Sequence, residues 1–157
     1  MQSFFHASGN GTMASFDENG SGEYARLIAK AQAAVDALRD SYKDQFRSDV
    51  DQMFATWRKL DDGADRRQVM DEIYGIAHNV KGQGGSFGYE FVTSVGMSLC
   101  RLLRSDARWT DDDLKIVHAH LNALELAARD DMTGDGGEAG RKILHDLSVM
   151  TGHPIEG

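Results

Sequence analysis

An unbroken helical period between residues 24 and 60 constrains this chain more than any other feature. Ile28, Ala31, Val35, Leu38, Tyr42, Phe46, Val50, Met53, Trp57 and Leu60 hold one 3.6-residue phase, and neither glycine nor proline interrupts them. A stripe of that length must find other apolar surface to lie against. It is either one unusually long helix or two helices meeting near Ser41, where the run from Ser41 to Asp44 has the form of a capping box. Both readings stay open at this level.

Downstream, the same period recurs between clear stop signals. Asp61, Asp62 and Gly63 make a turn, and Asp65 with Gln68 offers a capped start for a helix that buries Val69, Ile73, Ile76, Val80 and Phe87. After Gly88 another helix carries Phe91, Val95, Leu99 and Leu102 inward. Its outer face bears Met97, Arg101, Arg104 and Arg108, a basic strip that ordinary solvation explains or that an acidic partner would meet. Thr110 and Asp113 then frame a capping box for a helix with Leu114, Val117, Leu121, Leu124 and Ala128 on its core stripe. A glycine-rich connection over residues 134–137 leads to a short last helix, stopped by Gly152 and Pro154. No stretch alternates like a strand, and the only proline is Pro154. The expected class is all-α: an antiparallel up-and-down four-helix bundle with additional N-terminal and C-terminal helical elements. Residues 1–22, rich in Ser, Gly and Asn, read as a flexible N-terminal tail, and 24–151 as a single helical domain with its bundle core at about 42–131.

Composition excludes several functions. A length of 157 residues and 41% apolar content suit one core, and a formal charge of -8 argues against a nucleic-acid surface. No apolar run approaches the ~18 residues that cross a membrane, and the first fifteen residues lack the basic start of a secretory signal. The expectation is a cytoplasmic protein without membrane association. The single Cys100 rules out an internal disulfide framework and a Cys-x-x-Cys metal site. His118 and His120 are two apart, about 200° around a helix, so they cannot jointly grip a metal; with His6, His145 and His153 they read as surface or rim histidines. No glycine-rich nucleotide loop is present, and no serine or cysteine nucleophile has a visible base.

The chemistry concentrates in residues 78–88, His-Asn-Val-Lys-Gly-Gln-Gly-Gly-Ser-Phe-Gly. His78 follows Val69 by nine positions, about 900° of rotation, which puts it opposite the buried stripe. Lys81, Gly82 and Gly85 lie at i+3, i+4 and i+7 and so share its exposed face, with Tyr74 one turn before. Gly82, Gly84 and Gly85 together cost a helix on the order of 2 kcal/mol, which folding alone does not favour. Lysine followed by glycine is also the usual helix-end signal, whereas Phe87 stays in phase with Val80 and extends the helix through the glycines.

The pattern His78-x-x-Lys81-Gly82, with small residues at 84 and 85, Phe87 and Gly88, resembles the phospho-acceptor motif of histidine-containing phosphotransfer (HPt) domains. The resemblance covers roughly residues 46–130, including the apolar helix down to Leu103, and departs from the family at Gln83-Gly84-Gly85, where serine and alanine are commoner. It implies a bundle with the reactive histidine on its second helix. It also implies a phosphocarrier rather than an enzyme: His78 takes a phosphoryl group from a receiver-domain aspartate of a response regulator or hybrid histidine kinase and passes it to another receiver. Lys81 would stabilise the charge of the phosphoryl group. Tyr74, Gly82, Gln83, Gly85 and Arg101 would form the partner surface. No cofactor or metal is expected in this chain, since magnesium would sit in the receiver, and a phosphocarrier can act as a monomer. The alternative is a helical adaptor that binds a partner through the groove around His78 without chemistry. A histidine-kinase dimerisation domain ranks last, because Asn79-Val80-Lys81 follows the histidine where that family has an acid and then Arg-Thr-Pro.

Overall fold

The computed structural model describes residues 10–155, with side chains from residue 20 onward. All regular structure among them is helical: α1 (Asn10–Trp57), α2 (Arg66–Gly84), α3 (Glu90–Leu103), α4 (Asp111–Asp130) and α5 (Gly137–Thr151). Short 3₁₀ turns, Arg58–Asp62 and Gly85–Phe87, close α1 and α2. By its own contacts the chain divides into two units, one ending at Asp40 and one beginning at Ser41.

In the first unit the chain is already helical at Asn10, within the stretch read as a flexible tail; residues 1–9 lie outside the described residues. Extending a formed helix fixes one residue per added hydrogen bond, so Gly20 and Gly22 weaken the helix without ending it. Ser41 begins no new helix, and every described side chain from 20 to 40 is exposed.

The second unit holds the core. Tyr42, Phe46, Val50 and Met53 of α1 are buried, as are Val69, Met70, Ile73, Ala77 and Val80 of α2. Each of the Val, Ile, Met and Phe side chains among them contributes roughly 1.5–3 kcal/mol on leaving water. From Tyr42 on, α1 runs antiparallel to α4: Lys43 meets Asp131 at 3.4 Å, Arg47 meets Glu125 at 2.6 Å, and the Trp57 ring stacks on His118 at 5.2 Å. α2 and α3 are antiparallel as well, with Gly84 beside Thr93 and Lys81 beside Gly96.

Local chemistry sets the boundaries. Asp65 accepts the Gln68 N–H at 3.0 Å and opens α2. Thr110 and Asp113 form the reciprocal capping box of α4. The buried Trp109 before it has φ 56, a left-handed conformation uncommon for a large residue, and its carbonyl accepts the Arg66 guanidinium at 2.6 Å. That bond ties the start of α2 to the start of α4.

Candidate functional site

The outer face of α2 is built around His78. The ring is exposed and makes no hydrogen bond or ion pair among the described residues; its ring neighbour is Tyr74, 6.0 Å away and tilted by 34°. Lys81, one turn on, is half-buried and likewise forms no ion pair among the described residues. On either side of the histidine, at i-3 and i+4, stand Gly75 and Gly82. Both are exposed, and a Cβ at either position would find nothing within 4 Å. The imidazole therefore stands between two bare turns of helix.

The glycine run does not end the helix at Lys81. α2 continues to Gly84, tightens into the Gly85–Phe87 turn and stops at Gly88, whose φ of 81 suits glycine. Tyr89 N–H donates back to the Gly84 carbonyl at 2.9 Å. Phe87 turns inward and stacks on Tyr42 at 5.0 Å, which is why the helical phase runs through the glycines. The glycines serve different purposes. A Cβ on Gly84 would lie 2.7 Å from Thr93 Oγ1 and 3.1 Å from the Tyr89 carbonyl oxygen, so packing against α3 explains that position. One on Gly85 would reach Thr93 Oγ1 at 3.7 Å, an ordinary contact, while Gly82 and the exposed Gln83 face open space.

α3 brings a second cation to this face. The Arg104 guanidinium lies 5.8 Å from the centre of the Tyr74 ring. Cys100 is buried, and burial pushes its thiol above the usual range; the nearby positive charges of Lys81 and then Arg104 oppose that rise. Both cations thus act on the Cys100 thiol from the seam of α2 and α3. Arg101, expected with the partner surface, is exposed and borders a cavity of about 360 Å³ with Ser94, Met97, Ser98, Pro154 and Ile155. Sequence reasoning passed over Gly75 and did not join Arg104 to Tyr74. Gly75 carried a signal in its helix-breaking cost at i-3 from the histidine, whereas the Arg104 pair depends on how two helices align.

His120 corrects the reading of surface or rim histidines. It is fully buried, its Nδ1–H donating to the Ile116 carbonyl at 2.8 Å and its Nε2 accepting from the Ser98 hydroxyl at 2.8 Å. Burial lowers its pKa, partly offset by the bond to Ile116. His118 is half-buried against Trp57 and Phe54, His145 and His153 are exposed, and His6 lies outside the described residues. Among the described residues no group of three or more His, Cys, Asp or Glu side chains is placed to hold a metal ion, and no helix is long and apolar enough to cross a membrane.

The chain matches no protein-family model, no curated protein and no solved structure.

Proposed function

We propose that this protein is a histidine phosphotransfer protein of the HPt type, a cytoplasmic phosphocarrier between receiver domains. The observation that carries the reading is the unencumbered His78 ring between Gly75 and Gly82 with Lys81 one turn away. In this reading α1 from Tyr42 on, α2, α3 and α4 make an antiparallel four-helix bundle, with the N-terminal part of α1 and α5 as its additions.

A ring nitrogen of His78 attacks the phosphorus of a receiver's phospho-aspartate in line. The N–P bond forms as the acyl P–O bond breaks, and the electron pair leaves with the aspartate carboxylate. Lys81 offsets negative charge on the phosphoryl oxygens as they pass. The reverse sequence on a second receiver returns the imidazole unphosphorylated. Magnesium belongs to the receiver's acidic pocket. Gly82 leaves room for that pocket's edge, with Tyr74 and Gln83 at the rim of the contact.

The test is incubation with a receiver domain phosphorylated on its aspartate. The expected product is an acid-labile, base-stable phosphate on this chain that is lost in His78→Gln. Label persisting in that variant refutes the assignment, and binding without any label identifies an adaptor.

A further inference from the structure

Away from His78, α1 carries an apolar face that nothing described covers. Tyr24, Leu27, Ile28, Val35 and Leu38 are 67, 62, 52, 48 and 59% exposed, and they make up five of the eight large exposed apolar side chains among the described residues. Their spacing is not that of scattered surface residues. Tyr24, Ile28, Ala31, Val35 and Leu38 follow one another by 4, 3, 4 and 3 positions, the heptad seam of a coiled coil, with Ile28 and Val35 at a, Tyr24, Ala31 and Leu38 at d, and Leu27 beside the seam at g. The seam ends N-terminally at Gly20, Ser21 and Gly22; from Tyr42 onward the same phase is buried in the core.

We infer that residues 24–38 pair with the same segment of a second copy of this chain as a short, reversible, parallel two-stranded coiled coil. Three observations choose this occupant. The β-branched residues at a, with Leu38 at d, favour two parallel strands. The segment from Glu23 to Asp40 holds three acids (Glu23, Asp36, Asp40) and three bases (Arg26, Lys30, Arg39), so it is neutral within a chain of formal charge -8. Two copies can approach there without net repulsion, and an anionic membrane gains no basic patch to attract. The e and g positions are Ala25, Gln32 and Arg39 with Leu27, Ala34 and Ser41, so no like charges oppose across the seam. At roughly 50–100 Å² of apolar surface each, ten such side chains on two helices approach the ~1,000 Å² of a specific interface, at its weak and exchangeable end. The pairing replaces the monomer expected from the sequence, and it is independent of the chemistry at His78.

Sedimentation of the full chain at rising concentration tests the inference. The average mass is expected to climb from 17.3 kDa toward twice that value, over roughly 1 to 500 µM. A variant with both Ile28→Glu and Leu38→Glu should stay at the monomer mass with an unchanged circular-dichroism spectrum, because both side chains are exposed. Ala31→Cys at a d position should give an intermolecular disulfide under mild oxidation, Cys100 being buried. A wild-type chain that stays monomeric throughout, a double variant that associates equally well, no disulfide at position 31, or binding to anionic vesicles in place of self-association would each overturn it.

Discussion

Gly96 of α3 lies against the backbone of Lys81 in α2: a Cβ there would sit 3.1 Å from Lys81 Cα, 3.2 Å from its Cβ and 3.3 Å from its N. The crossing of the two helices thus fixes where the lysine begins. Two of those three atoms are backbone of a packed helix, which cannot swing aside as a side-chain tip would. Gly96→Ala gains up to ~1 kcal/mol in helix propensity but meets an overpacking cost of about 1–3 kcal/mol. The expected net is a loss of about 1 kcal/mol, read as a lower urea midpoint, together with slower transfer in the proposed phosphocarrier role as Lys81 is displaced. An unchanged midpoint would mean that the helices separate freely there.

Gly75 and Gly82 should behave in the opposite way. Neither has a neighbour within 4 Å of an added Cβ, so Ala at each position should stabilise the fold by about 0.5–1 kcal/mol. If these glycines exist to admit a partner, Gly82→Arg should fold normally yet transfer poorly. Gly82 is a cleaner site for this than Gly85, where an added side chain starts toward Thr93. Equal transfer rates for wild type and Gly82→Arg would remove the steric argument.

The contrast among these glycines marks what the sequence makes legible. Helix starts were readable because capping is local: Asp65 with Gln68 and Thr110 with Asp113 lie three residues apart. The run through Gly82 and Gly84 was legible only through the phase of Phe87, which ends against Tyr42. Gly96 reads as an ordinary tolerated glycine until the crossing with Lys81 is known, and Arg104 over Tyr74 depends on the same alignment. His120 did carry a signal: it stands three residues after Val117 and four before Leu124, at the edge of the buried stripe. Asking only whether His118 and His120 could share a metal leaves that phase unused.

The buried His120 predicts a pH dependence of stability. Its folded pKa lies below the ordinary imidazole value of about 6.5, mainly through desolvation. Between that lowered value and 6.5 the unfolded chain binds a proton that the folded chain does not, so stability rises with pH across the window. The contribution is complete above 6.5 and is lost as pH falls toward the folded value, with a slope of at most about 1.4 kcal/mol per pH unit. Urea midpoints should therefore fall between pH 7.5 and 5.5. His120→Gln should start about 1–3 kcal/mol less stable, having disturbed the bonds to Ser98 and Ile116, and should lose most of that slope. A slope that survives in the variant would assign it to other groups.

In the proposed phosphocarrier role, the two cations at the seam of α2 and α3 should separate chemistry from docking. Lys81 has no ion pair among the described residues and its substitution opens no buried partner, so Lys81→Ala should leave the fold intact while slowing transfer roughly 10- to 100-fold. That is at or below the effect of losing a fixed oxyanion donor, because an ammonium on a flexible stem is less strictly held. Arg104 reaches the site through the face of Tyr74, an exposed contact of about 0.5–1 kcal/mol. Arg104→Ala should weaken receiver binding, with the larger loss at low salt where the charge is least screened, and should leave the rate at saturating receiver near wild type. Arg101→Ala serves as the comparison, since Arg101 borders the cavity with Pro154 and Ile155. Titrating each variant with a phosphorylated receiver separates the two effects. If Arg101→Ala weakened binding more than Arg104→Ala, the docking edge would lie toward the C-terminal segment and away from Tyr74.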